Sequence, residues 1–258
     1  METKIFYFTG TGNCLAIARK LSTALPSASI ASIAQTSESP VQSEVMGIVS
    51  PIYMYDMPPI VIDFIRKIQQ TDYLFFIYAG GGEPGGGLRK VKKLCRKQGL
   101  PLQALFNIAM PSNYTPFGYP EESEQQSLFM AADDKVEVIA EMVAERKQHF
   151  DTNPTGLFRT MVHPGILYAL GHSQIPRMDR GFSSDASCNS CGICTRICPV
   201  NNIALHEGKP HWQGHCEQCF ACVNWCPQTA IQYRNATTQT KRYHHPDIAR
   251  NDILKSSR

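Results

Sequence analysis

The stretch Ile5-Phe6-Tyr7-Phe8-Thr9-Gly10-Thr11-Gly12-Asn13-Cys14-Leu15 decides the fold of the first half of the chain. Four apolar residues in succession fit a strand buried on both faces, and a glycine turn then feeds directly into a helix. Such a turn aims backbone N–H groups at an anion, so a phosphate is the expected guest. Exclusion narrows which phosphate. No Gly-Lys-Ser/Thr ending follows, Leu15 stands where a dinucleotide loop has its third glycine, and no acidic residue near position 30 is placed to hold a ribose.

Outward from this loop, apolar runs at 45–49, 73–79 and 104–109 continue the strand pattern, with the more polar 28–33 as an edge strand. Helix-period segments at 15–25, 60–68 and 88–94 lie between them, and 123–150 reads as a longer closing helix. Strands alternating with helices imply an α/β domain over residues 1–150, a doubly wound parallel sheet with right-handed crossovers. Its ligands belong outside the carboxyl ends of the strands.

The chain has 258 residues, 43% of them apolar, and ten cysteines. A chain this long needs no disulfide staples for its core, so clustered thiols point to metal. Charged residues at 18% argue against disorder, and a net charge of +3 gives no reason to expect nucleic-acid binding. The longest apolar run, 73–79, is too short to span a bilayer, and no signal-peptide pattern opens the chain. The reading is a soluble cytoplasmic protein with no membrane partner.

Only Cys14 and Cys95 precede residue 187, which divides the chain into two modules. Residues 151–182 read as a connector punctuated by glycine and proline, with a short helix at 166–170. Cys188, Cys191, Cys194 and Cys198-Pro199 are repeated by Cys216, Cys219, Cys222 and Cys226-Pro227 at a constant offset of 28, and the agreement extends to Ile203 and Ile231. This internal duplication has the spacing of the bacterial two-cluster ferredoxin, in which each fourth cysteine serves the other cluster. It assigns Cys188, Cys191, Cys194 and Cys226 to one 4Fe-4S cluster, and Cys216, Cys219, Cys222 and Cys198 to a second. A pair of zinc sites is the alternative, although zinc motifs need neither the third cysteine nor the proline. The small α+β ferredoxin domain is expected over 183–236, with Trp212 and Trp225 shielding the clusters and Ile203 and Ile231 filling the core between them. His215 reads as a bystander, and 237–258 as a polar tail whose role the sequence does not disclose.

The first module resembles the flavodoxin family, whose loop reads Thr/Ser-x-Thr-Gly-Asn-Thr and binds the phosphate of FMN. That resemblance implies a five-stranded sheet of order 2-1-3-4-5. It also implies phosphate contacts from Thr9, Gly10, Thr11, Gly12, Asn13 and Cys14, the last departing from the family's hydroxyl. The flavin ring is then expected between the loops after the third and fourth strands: Pro51, Ile52, Tyr53 and Met54 on one side, and Tyr78, Ala79, Gly80, Gly81, Gly82, Gly85, Gly86 and Gly87 on the other. Residues 110–114 end the next strand and are expected on the approach to the ring. Arg89, Lys90, Lys92, Lys93, Arg96 and Lys97 form a basic helix face, either a docking surface for an acidic redox partner or a solvated face.

Taken whole, the chain resembles the bacterial flavodoxin-ferredoxin fusion proteins of anaerobes, a likeness that includes the Arg242-Tyr243-His244-His245-Pro246 tail. The resemblance implies an electron-transfer flavoprotein relaying electrons between two 4Fe-4S clusters and FMN, for a redox protein donor or acceptor. The alternative is an FMN-dependent reductase of a small-molecule acceptor, NAD(P)H- or quinone-linked. A monomer and a homodimer are both compatible with the sequence.

Overall fold

The computed structural model describes residues 2–36, 41–54, 56–81, 84, 86–151, 172–238 and 241–257. In the first module, β1 (Thr3–Tyr7), β2 (Ala28–Ser32), β3 (Val45–Pro51), β4 (Tyr73–Gly80) and β5 (Leu102–Ala109) pair in parallel in the order 2-1-3-4-5. This is the order of the flavodoxin-like doubly wound sheet. β1, β3 and β4 are rich in β-branched and aromatic residues. All seven residues of β3 are buried, which explains why its run is continuously apolar rather than alternating.

The helices are α1 (Asn13–Ala24), α2 (Pro59–Lys67), α3 (Gly87–Lys97) and α4 (Glu122–Ala144). Pro59 opens α2, where a missing N–H costs nothing, and Arg66 and Lys67 close it against the negative end of the dipole. Phe64 of α2 packs on Phe6 of β1 with ring centroids 4.6 Å apart. On α1 and α4, which lie in contact, Lys20 pairs with Asp133. The closing helix is shorter than the sequence suggested. It stops at Ala144, and His149–Phe150 forms a two-residue sixth strand, β6, beside Leu105 of β5. Phe106 stacks on His149 at 5.0 Å, so burial of these rings favours sheet addition over another helical turn.

The second module is small. β7 (Phe182–Ser184) pairs antiparallel with β10 (Ile231–Tyr233), and β8 (Ile203–His206) pairs antiparallel with β9 (Lys209–Trp212). Two short helices, α5 (Ile193–Ile197) and α6 (Ala221–Asn224), begin within the two cysteine runs. Phe182 gathers Trp212, Phe220 and Tyr233 around it at 4.7–5.5 Å, the aromatic part of a core that includes Ile203 and Ile231. The expected helix at 166–170 lies outside the described residues, as does most of the connector.

The tail is not an appendage. Tyr243, His245 and Ile248 are buried, and α7 (Arg250–Ser256) packs against the first module through an Arg19–Asp252 ion pair of 2.9 Å.

Candidate functional site

A cavity of about 500 Å³ opens at the carboxyl ends of β1, β3, β4 and β5. That volume falls within the range of small-molecule and cofactor sites, and the place is the switch point where the chain order reverses. Thr9, Gly10, Thr11, Asn13 and Cys14 line it from the first loop, Pro51, Ile52, Tyr53 and Met54 from the second, and Ala79, Gly80 and Gly81 from the third. Pro111, Ser112, Asn113, Tyr114 and Phe117 add a fourth wall. Tyr53 is held by a tight turn in which it exchanges backbone hydrogen bonds with Asp56 at 2.9 and 3.0 Å. Asn113 donates to its hydroxyl at 3.3 Å, and burial raises the Tyr53 phenol well above its ordinary pKa.

Several residues expected around the ring lie elsewhere. Tyr78 is fully buried within β4 and packs edge-on against Phe76 at 4.9 Å, because its place in the pleat directs it into the core. Gly86 and Gly87 begin α3 and do not line the cavity, whereas Gly82 and Gly85 lie outside the described residues. Gly12 also turns away. Its φ of +104° suits glycine, and a Cβ there would press on His245 and Ile248 of the tail at 3.0–3.1 Å. Its N–H donates to Thr9 Oγ1 at 3.0 Å. Asn13 lines the cavity, yet its amide is engaged within the protein: Nδ2 donates to the Pro111 carbonyl at 2.9 Å, and Oδ1 accepts from the Tyr243 hydroxyl at 2.7 Å. Cys14 is buried, and its thiol is pushed far above the ordinary range by desolvation, which suits a small space-filling residue.

On α3, Lys90 differs from its expected exposure. It is half-buried and reaches the fully buried carboxylate of Asp56 at 3.2 Å. Lys92 lies over the Phe150 ring at 4.1 Å.

In the second module, Cys188, Cys191, Cys194 and Cys226 line one small space, and Cys198, Cys216, Cys219 and Cys222 line another. Each set joins three cysteines of one run to the fourth of the other run. Among the described residues, no three His, Cys, Asp or Glu side chains converge on the position of a single ion, so the thiols surround their spaces rather than meet at a point. Backbone N–H groups of Asn202, Gln218 and Ala230 donate to the sulfurs of Cys198, Cys216 and Cys226 at 3.2–3.3 Å. Burial raises the Cys194 thiol to about 11 and the Cys216 thiol to about 12.

Trp212 flanks the second space as expected. Trp225 lines neither; its indole crosses to the first module and donates to the Gly10 carbonyl at 2.9 Å. His215 also lines neither, its ring nitrogen meeting the Val200 carbonyl at 3.1 Å.

Residues 181–240 match the family described as the 4Fe-4S dicluster domain. That span contains all eight cysteines of the two cysteine-lined spaces. Among solved structures the chain is similar to the two-electron reduced flavodoxin of Megasphaera elsdenii, with 19% identity over 51% of this chain and 98% of that one, at a TM-score of 0.33. Another is the Trp repressor binding protein of Bacillus subtilis, with 14% identity over 55% of this chain and 98% of that one, at 0.35. A third is the rubredoxin oxygen:oxidoreductase of the anaerobe Desulfovibrio gigas, with 13% identity over 56% of this chain, at 0.34. The match spans only 36% of that last protein's length. A comparison with curated proteins gives no match. The strand order itself carries the flavodoxin-like fold of the first module. Among the described residues no helix is long and apolar enough to cross a membrane.

Sequence reading missed how the two modules meet. Gln218, between two cysteines of the second cysteine-lined space, is part of the cavity wall together with Ile175 and Met178. The Cys219 carbonyl accepts from Asn113 at 3.3 Å and abuts Gly10 so closely that a Cβ there would collide with it. Both oxygens of the buried Glu217 carboxylate accept from the Ile60 N–H, at 3.1 and 3.2 Å, in the first turn of α2. Desolvation raises its pKa to about 7.

Proposed function

We propose that this chain is an electron-transfer iron-sulfur flavoprotein that relays electrons between its two 4Fe-4S clusters and an FMN held in the cavity. A bound FMN supplies one- and two-electron chemistry, and each cluster exchanges one electron at a time. The observation that supports the relay is Gln218, which belongs both to the chelating run of the second cluster and to the cavity wall. The second cluster is thereby the one that adjoins the flavin. The first lies farther out, where the exposed Cys191 marks the side available to a redox protein donor or acceptor.

The residues around the cavity suit this role. Backbone groups of the cavity-lining loop residues Thr9, Gly10, Thr11, Asn13 and Cys14 receive the phosphate, Tyr53 offers an aromatic wall, and Gly80 and Gly81 offer bare backbone to the ring edge. Asn13, Tyr243 and Pro111 fix the loop from behind, while Ile175 and Met178 exclude water on the side of the second module. The inferred organisation is a flavodoxin-like domain at 1–150, a connector at 151–182, a ferredoxin domain at 183–236 and a strap at 237–258. One feature favours the reductase reading as a second possibility: Phe117 lines the cavity yet is 88% exposed, so the mouth remains open to a small molecule.

The test is anaerobic holoprotein with about eight irons and one FMN per chain, as two four-cysteine clusters and one phosphate loop require. Cys219→Ala is expected to lose the second cluster, retain FMN and slow flavin reduction by a one-electron donor. Wild-type reduction rates after verified loss of that cluster, or protein that takes up no FMN, would overturn the reading.

A further inference from the structure

A second concavity, of about 430 Å³, shares Met178 with the cavity and is otherwise lined by Gln174, Arg177, Arg180, Gly181 and Arg234. Its arginines are brought together by local geometry. The segment His172–Gly181 is a 3₁₀ helix, in which residues three apart eclipse one another. Gln174, Arg177 and Arg180 therefore share one face. Arg234 is delivered by β10, its N–H bonded to the Gly181 carbonyl at 2.7 Å and its guanidinium over the Tyr233 ring at 5.4 Å.

The opposite face of this segment is pinned. Ile175 is fully buried, the Pro176 carbonyl accepts from Cys216 N–H at 3.2 Å, and Asp179 accepts from Asn202 and Gly214 at 2.9 and 2.7 Å. The one carboxylate on the segment is thus buried away from the arginines, and among the described residues no acidic side chain lines the concavity. Three guanidinium groups on a fixed frame, without a carboxylate to neutralise them, form a receptor for a multiply charged anion. A concave shape admits a small molecule, and the shared Met178 places that molecule next to the cavity.

We propose that Arg177, Arg180 and Arg234 bind the phosphate or pyrophosphate group of a small-molecule redox substrate whose reactive end enters the neighbouring cavity. Its role as a substrate anchor rests on the cavity being the FMN site, whereas anion binding itself does not. A nicotinamide dinucleotide and a simpler phosphorylated substrate share the required chemistry.

The experiment is calorimetric titration of anaerobic holoprotein with inorganic pyrophosphate at constant ionic strength, followed by competition with NADH and NADPH. Saturable pyrophosphate binding is expected, weakened by about tenfold or more in an Arg177→Gln/Arg180→Gln protein because charge-assisted hydrogen bonds are lost. Arg234→Gln should weaken it as well, whereas Arg89→Gln/Lys93→Gln on α3 should not. Flavin and cluster absorbance serve as the folding control for every variant. Displacement of pyrophosphate by a dinucleotide identifies that source, and binding of pyrophosphate alone assigns a simpler phosphorylated substrate. No saturable binding, or equal binding by the double variant, overturns the site. Binding by protein that carries no flavin would retain the anion site and remove only its link to the cavity.

Discussion

The indole Nε1 of Trp225 donates a 2.9 Å hydrogen bond to the carbonyl oxygen of Gly10. One partner precedes the last cysteine of the cluster domain, and the other belongs to the loop that opens α1. The two modules are therefore joined at the loop expected to hold phosphate, and His244 stacks on the same indole at 4.5 Å.

Trp225→Phe should remove this donor together with part of the buried ring volume. The expected cost is about 1 kcal/mol, approaching about 3 if the Gly10 carbonyl remains dry. Anaerobic denaturant unfolding of the holoprotein checks it, with cluster absorbance confirming that the iron is retained. An unchanged midpoint would show that the bond contributes nothing to docking.

Gly10→Ala should have a different signature, because its Cβ would collide with backbone rather than with a flexible side chain. Each domain can keep its own core while the contact between them opens. Limited proteolysis is expected to cut the variant between its domains faster than the wild type, with full iron content. Gly80→Ala is the control for the proteolysis, since its nearest neighbours would be at an ordinary 3.7–3.8 Å. Equal proteolysis of all three proteins would count against a docked interface at Gly10.

The strap should loosen in acid. His245 is 2% exposed, its backbone N–H donates to the Thr11 carbonyl at 2.9 Å, and its Nδ1 accepts from Asp247 N–H. Desolvation lowers its pKa from 6.5 to about 4, against the attraction of Asp247 and Asp133 and with the repulsion of Lys20 and His244. The folded state thus binds fewer protons than the unfolded one between these values. Its stabilising contribution is complete above about pH 6.5 and is lost as pH falls toward 4, on the order of 3 kcal/mol in all. His245→Gln should flatten this part of the stability-against-pH curve. An unchanged slope in the variant would assign the acid sensitivity to other groups.

Cys14 and Cys95 should resist alkylation in the folded protein. Both are buried, with burial pushing Cys95 up to about 12 and Cys14 higher, so almost no thiolate is present at neutral pH. Mass spectrometry after iodoacetamide treatment at pH 8 should find both unmodified until denaturant is added. Rapid labelling of Cys14 in native protein would show a reactive thiol at the helix N-terminus instead.

The sequence by itself determined the features that local repetition encodes. Apolar runs buried on both faces marked four of the five main strands and a more polar run marked the edge strand, the turn at Gly10 and Gly12 marked the entry to α1, and a duplication offset by 28 residues marked the eight cysteines. The likeness of that spacing to two-cluster ferredoxins also suggested a grouping across the two runs, and those two sets of cysteines line separate spaces in the structure. Tertiary structure alone decided the rest. Tyr243 meets Asn13 across 230 residues of chain, Trp225 meets Gly10 across 215, and Glu217 meets the start of α2 across 157. None of these pairs leaves a periodic trace, since each is a single polar residue finding a donor or acceptor exposed by another element's end. The tail looked merely polar for the same reason: its hydrogen-bonding groups are satisfied by the loop that opens α1 and by α6, and only burial between the domains gives them partners.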